Sequence, residues 1–274
     1  MNIERVARQI LNGTPEPMRS GLRRIVRPFK RLSLEQRVNI GLGERPAYAF
    51  CLYYAALMAK RLGYSRISAL EFGVAGGNGI IALQTYAREI KRELGIHVEI
   101  YGFDSGAGLP KPRDFRDVPY LWQTGFYPID ETKLRARLEG SQLVMGDVAD
   151  TAKTFLDRYN PAPIGAAFFD LDFYSSTVEV MHLFEADDDH FLPRIYCYFD
   201  DITADGLGAL NDYTGERLAI NEFNERHEHQ KFANLYLYTQ HELWQRRLWV
   251  FHNFIHSKYN TFVMGKFQSM PLDY

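Results

Sequence analysis

Apolar residues along this chain fall into short solid blocks separated by longer stretches of helical spacing. Over residues 47–62 they recur at three- and four-residue intervals, and Gly63 stops the run as a helix C-terminus should. A rhythm then begins. Residues 67–72 predict a short apolar strand that runs into a glycine-rich turn, and residues 80–94 return to helical spacing. Residues 97–103 and 142–145 predict a second and a third strand, with a helix over about 151–159 after the latter. A fourth strand is predicted at 164–169, followed by a helix that Ser175 or Ser176 can cap, and a fifth at 194–199. Strands apolar on both faces, alternating with helices, argue for a parallel sheet covered on each side. Past residue 201 the pattern changes. Residues 215–227 read as an amphipathic helix, and 234–238 and 248–254 alternate like antiparallel strands at a sheet edge. The expected class is α/β: a mostly parallel sheet with helices on both faces and an antiparallel edge hairpin.

Composition narrows the partners more than the fold. The chain has 274 residues, enough for one large domain or two small ones. Its formal net charge is −2, so no global attraction to nucleic acid or to an anionic membrane is expected. Cys51 falls in a helical pattern and Cys197 in a strand, so both read as small buried hydrophobes rather than a disulfide, which fits a reducing cytoplasm. No signal-peptide core and no apolar stretch of about 20 residues is evident, so a cytoplasmic chain without a transmembrane segment is expected. Basic residues crowd the first 34 positions, where Arg5, Arg8, Arg19, Arg23, Arg24, Arg27, Lys30 and Arg31 face Glu4 and Glu16. Residues 1–44 are read as an N-terminal arm or lid ahead of a domain spanning 45–274. The arm is either a solvated segment or helix that packs on a sister subunit in a homo-oligomer, or a contact for an anionic acceptor or membrane surface. One long irregular stretch, 106–130, carries Trp122, Phe126 and Tyr127 and reads either as a binding lid or as a self-packed surface loop.

In an open parallel sheet ligands bind beyond the carboxyl ends of the strands, so the residues there carry the chemistry. The first strand ends Glu71-Phe72-Gly73-Val74-Ala75-Gly76-Gly77-Asn78-Gly79. Its glycines allow close backbone approach to a ligand at a helix N-terminus. Glu71 either takes the ammonium of an amino-acid ligand or braces the loop. The second strand ends in Asp104, placed to accept from a ribose diol; the third ends in Asp147, which either meets an adenine amino group or caps the next helix. The fourth ends Asp170-Leu171-Asp172 and the fifth Asp200-Asp201. Two like charges about 4 Å apart repel by roughly 1 kcal/mol in water and by roughly 4 at an effective dielectric of 20. Four converging carboxylates therefore call for protons or a hard cation such as Mg²⁺.

With these motifs in order, the chain resembles the macrocin O-methyltransferase (TylF-type) family. The resemblance runs through residues 70–77, Gly102-Phe103-Asp104-Ser105-Gly106, Gly146-Asp147, Asp170-Leu171-Asp172-Phe173-Tyr174-Ser175-Ser176 and Asp200-Asp201, covering roughly residues 45–224. It implies a Rossmann-like class I methyltransferase fold that uses S-adenosylmethionine (SAM) and Mg²⁺ to methylate sugar hydroxyls in glycosylated natural products or surface glycans. It further implies metal ligands at Asp170, Asp200 and Asp201, a general base at Asp172, and SAM contacts around Glu71, Gly73, Gly77, Asn78, Asp104, Ser105, Asp147 and Asp170. Leu171 stands where the family usually has glycine, and the chain departs from the pattern after about residue 225. Two rival readings share parts of the evidence. A metal-dependent glycosyltransferase would use Asp170-Leu171-Asp172 for a nucleotide sugar but leaves Glu71 and Asp200-Asp201 without a purpose. A NAD-dependent oxidoreductase would use Gly77-Asn78-Gly79-Ile80-Ile81-Ala82, which lies several residues past the strand end. His241, His252 and His256 stand as alternative bases to Asp172.

Overall fold

The structure, a computed structural model, describes residues 32–204, 206–237 and 242–264. The basic run at 1–31 lies outside the described residues, as do 238–241 and with them His241. The elements are α1 (Leu34–Asn39), α2 (Pro46–Arg61), β1 (Arg66–Phe72), α3 (Asn78–Leu94), β2 (His97–Asp104), α4 (Glu131–Arg135), β3 (Gln142–Met145) and α5 (Val148–Tyr159). After them come β4 (Ile164–Phe169), α6 (Tyr174–Met181), β5 (Phe191–Phe199), α7 (Gly215–Arg226), β6 (Gln230–Asn234), α8 (Leu243–Arg246) and β7 (Leu248–Asn253).

The strands make one seven-stranded sheet in the order β3-β2-β1-β4-β5-β7-β6. All neighbours from β3 to β5 are parallel, while β7 runs antiparallel to both β5 and β6. The expected α/β class, with its antiparallel edge, is what the chain forms. Consecutive side chains in β1 serve opposite faces: Ile67 and Ala69 join the cluster under α1, α2 and α3, whereas Leu70 and Phe72 join the cluster under α5, α6 and α7. Both faces are buried, which explains why the strands read as solid apolar blocks. Leu34 and Val38 of α1 are packed into the first cluster, and the backbone N–H of Leu34 donates to the Glu93 carboxylate of α3. No helix among the described residues is long and apolar enough to cross a membrane. Cys51 and Cys197 are buried and unlinked.

Two local expectations change. The edge strand predicted at 234–238 forms instead at Gln230–Asn234, because Phe232 is buried and pairs across to Phe251 while Leu235 closes the ladder onto the carbonyl of Leu248. Neither Ser175 nor Ser176 caps α6. Its N-cap is Phe173, which has no capping side chain, and Ser175 lies inside the first turn.

The sheet positions the site through its last apolar row. Phe103, Phe72, Phe169 and Phe199 are register partners across β2, β1, β4 and β5. Their rings meet edge to edge or face to face, closest at Phe169–Phe199, with centroids 4.2 Å apart and planes 9° from parallel. The ladder continues one residue beyond them, where Gly73 N–H donates to Phe103 O, Asp170 N–H to Phe72 O and Asp200 N–H to Phe169 O. Asp104, Gly73, Asp170 and Asp200 therefore leave the sheet side by side.

Candidate active site

Strand order reverses between β1 and β4, and a cleft of about 110 Å³ opens there. Its floor is Gly73, Phe103, Asp104, Ser105, Asp147, Asp170 and Leu171; its outer wall is Gly108, Leu109, Pro110 and Tyr127 from the long loop, with Ser176 of α6. Gly73 has φ +85°, and a Cβ there would lie 1.9 Å from the Asp170 carbonyl oxygen, so only glycine lets the tips of β1 and β4 close together. Apolar walls with acids at two neighbouring tips suit a ligand that joins an aromatic base to a hydroxylated ring.

The acids at those tips do more than face the cleft. Asp104 accepts from the N–H groups of Val74 and Ala75, at 3.0 Å each, and of Gly106, at 2.7 Å. It thereby braces both loops beside the cleft, and Oδ1, which takes only the bond from Gly106, keeps a lone pair for a ligand hydroxyl. Asp147 caps α5 by accepting from Ala149 N–H at 2.9 Å and also lines the cleft, so cap and ligand contact are compatible. The Ser105 hydroxyl donates to Gly108 O and accepts from Ala107 N–H, closing a tight turn. Gly77, at φ +80°, is the N-cap of α3 and packs against Leu134, while Asn78 is solvent-exposed; neither lines the cleft. Glu71 is also absent from the cleft surface. It is 1% exposed, Tyr48 donates to its Oε1 at 3.0 Å, and its Oε2 has no partner. Burial pushes its carboxyl up to about 8, against the pull of Tyr48 and of the Arg45 guanidinium. Gly79 has no room for a Cβ because Glu71 Oε1 would lie 1.6 Å from it. Glu71 thereby ties the end of β1 to α2 through Tyr48.

Beside the cleft the structure brings Asp170, Asp200 and Asp201 together. Each offers one oxygen, and these oxygens lie within 4.8 Å of one another. Burial and the charge of Asp200 raise the Asp170 carboxyl to about 7. Asp200 is steadied by the Tyr198 hydroxyl and by Arg247 Nη1 at 2.5 Å, and Arg247 Nε is in turn held by Thr203 Oγ1. Asp201 accepts from Asp172 N–H at 3.2 Å, and its own N–H donates to Glu216 Oε2 at 3.0 Å. Burial, then Asp172 and Asp200, raises the Asp201 carboxyl well above the usual range. Three carboxylates gathered within reach of one point fit a small hard cation, which would relieve this repulsion. The half-buried cations nearby, Arg45 and Arg247, relieve part of it.

Asp172 is the central residue of a three-residue turn in which Phe173 N–H donates to Leu171 O at 2.6 Å. Its φ of +60° is a conformation that costs a non-glycine residue about 1–3 kcal/mol, a strain that collects at functional sites. Its side chain is buried, and desolvation with the charges of Asp170 and Asp200 lifts the carboxyl to about 7. The ring of Tyr127 stands above, close enough that burial and all four aspartates raise its hydroxyl. His252 and His256 are elsewhere. His252 pairs with Arg194 and His256 hydrogen-bonds Phe191 O, both at the opposite end of β5 from Asp200.

Sequence reasoning missed Tyr48, Asp117, Glu216 and Arg247. Glu216 is fully buried, pushed upward by desolvation and Asp201, with an unpartnered Oε1. Each acts on a residue 15 to 58 positions away. No local spacing signals such a contact.

Against known proteins, no family profile and no curated protein sequence matches the chain. Solved structures do. The calicheamicin methyltransferase CalS11 is similar with a TM-score of 0.54 and 17% identity, over 87% of this chain and 94% of that one. The O-methyltransferase NovP is similar with a TM-score of 0.51 and 14% identity, over 77% of this chain and 81% of that one. The fold of this chain is the Rossmann-like fold of these methyltransferases.

Proposed function

We propose that the chain is a Mg²⁺-dependent O-methyltransferase that passes a methyl group from SAM to a hydroxyl, in keeping with its motifs a sugar hydroxyl of a glycosylated natural product or surface glycan. The observation that carries the reading is the gathering of Asp170, Asp200 and Asp201 next to Asp172, beside a cleft set on the β1/β4 switch point. Asp104, Asp147 and the backbone of Gly73 would hold SAM, whose sulfonium supplies the methyl group. Asp170, Asp200 and Asp201 would hold the ion, which as a Lewis acid lowers the pKa of an acceptor hydroxyl.

The chain's own groups do the rest. Burial favours the protonated form of the Asp172 carboxyl, while a cation bound beside it would favour the carboxylate, the form that can take the acceptor's proton. Its strained turn fixes where its oxygen points, and Asp201 holds that turn by its amide. Arg247 and Tyr198 keep the Asp200 carboxylate from rotating, and Leu109, Pro110 and Leu171 give the cleft apolar surface. The test is transfer of labelled methyl from SAM to a panel of glycosides, followed by mass spectrometry, with EDTA and then excess Mg²⁺. Transfer that EDTA stops and Mg²⁺ restores is expected. Calorimetry showing no SAM or S-adenosylhomocysteine (SAH) binding would end the reading.

A further inference from the structure

The loop at 106–130 is neither a free lid nor a loop packed only on itself. Its two arms are laced together: Leu109 N–H donates to Phe126 O, Gly125 N–H to Leu109 O and Ile129 N–H to Gly106 O. Between the arms, a short stretch is driven into the protein. Asp117 is 1% exposed and Val118 is fully buried, though Phe115 and Tyr120 on either side are largely in solvent. The Asp117 carboxylate accepts from Ser175 N–H at 2.8 Å, Ser175 Oγ at 2.9 Å and Arg113 N–H at 2.7 Å. Beside it Arg116 lies over the ring of Tyr174 and donates to its hydroxyl, which in turn donates to Glu222 of α7.

This placement answers a structural deficit. The first turn of α6 has no capping side chain of its own, and its free amides need acceptors. Asp117 supplies one from 58 residues away, in the position an N-cap side chain would fill. It also joins the two sides of the cleft. The loop lines the cleft with Gly108, Leu109, Pro110 and Tyr127; the stretch from β4 to α6 lines it with Leu171 and Ser176, which bracket Asp172 and Ser175 in the chain. A buried carboxylate with short, charge-assisted bonds to both sides fixes the distance between them.

We infer that Asp117 is a positioning residue that sets the width of the donor cleft by clasping the long loop to the start of α6. The inference rests on the methyltransferase reading of that cleft. Removing the carboxylate frees the loop wall, so the cleft must be re-formed each time the donor binds, and affinity falls by the fraction of molecules in which it is formed.

The test is calorimetric titration of the full chain with SAH at a temperature where every variant is folded by circular dichroism. Asp117→Ala is expected to weaken SAH binding at least tenfold, and Ser175→Ala, which removes one of the three donors, about threefold. A role in folding alone would lower the melting temperature and leave the affinity of the folded protein unchanged. If Asp117→Ala does not fold, Asp117→Asn, which keeps the shape and one acceptor, is read in the same way. Wild-type binding with variant affinity within twofold overturns the inference alone. A wild type that takes up no SAH overturns it together with the methyltransferase reading.

Discussion

Stripping divalent ions from this protein with EDTA should leave a molecule that loses stability as pH rises from about 4 toward 8. Asp170 and Asp172 have ordinary values of 3.8 and sit at about 7 in the fold. The folded state thus holds their protons more tightly than the unfolded state does. Their contribution is complete below 3.8 and is lost as pH climbs through about 7. Lifting one carboxyl from 3.8 to about 7 corresponds to roughly 4 kcal/mol at neutral pH. Asp170 keeps part of its surface in water and the two groups share one field, so about 2–4 kcal/mol for the pair together is the working figure. For a chain of this size that is about 3–7 °C in melting temperature. The assay is a thermal-shift series from about pH 5.5 to 8, with EDTA or with millimolar Mg²⁺. The gap between the two curves should open as pH rises, because the ion competes with protons for the same oxygens. Curves that stay parallel across the range would refute the electrostatic reasoning.

Other perturbations separate the parts of the site. Asp172→Asn should reduce methyl transfer by about 10²-fold or more while leaving SAH affinity within twofold, measured by turnover and calorimetry. Gly73→Ala forces a Cβ to 1.9 Å from the Asp170 carbonyl and a side chain into φ +85°; it should cost about 3 kcal/mol or more in urea unfolding and weaken both SAH and Mg²⁺ binding. Tyr48→Phe leaves the buried Glu71 carboxyl without its hydroxyl donor and should destabilise by about 1–3 kcal/mol, with the loss largest above pH 8, where Glu71 must ionise.

What could be read from the chain was what periodicity and strand ends encode. The β1, β3, β4 and β5 tips and the acids after them follow from apolar blocks that stop abruptly, and Asp170, Asp200 and Asp201 do converge. The β6 register was not legible. Leu235 and Leu237 alternate well, but within Gln230–Asn234 it is Phe232 that is itself buried, opposite Phe251, and partners are chosen in three dimensions. Glu71 was readable as an acid at a strand tip, though not that Tyr48 would claim one oxygen and Gly79 would crowd it. Asp117 was the least legible, because it sits among Lys111, Arg113, Asp114 and Arg116 and looks like a solvated surface charge. Its burial depends on an uncapped helix far along the chain.

The row of phenylalanines at the sheet edge has a consequence for how this protein can be altered. Phe169 and Phe199, stacked in the core, decide that Asp170 and Asp200 emerge abreast, so these carboxylates are carried by the scaffold itself. Changes to the loop at 206–214 therefore leave the placement of these carboxylates alone. Repacking that aromatic stack, by contrast, would misalign the carboxylates without touching any of them.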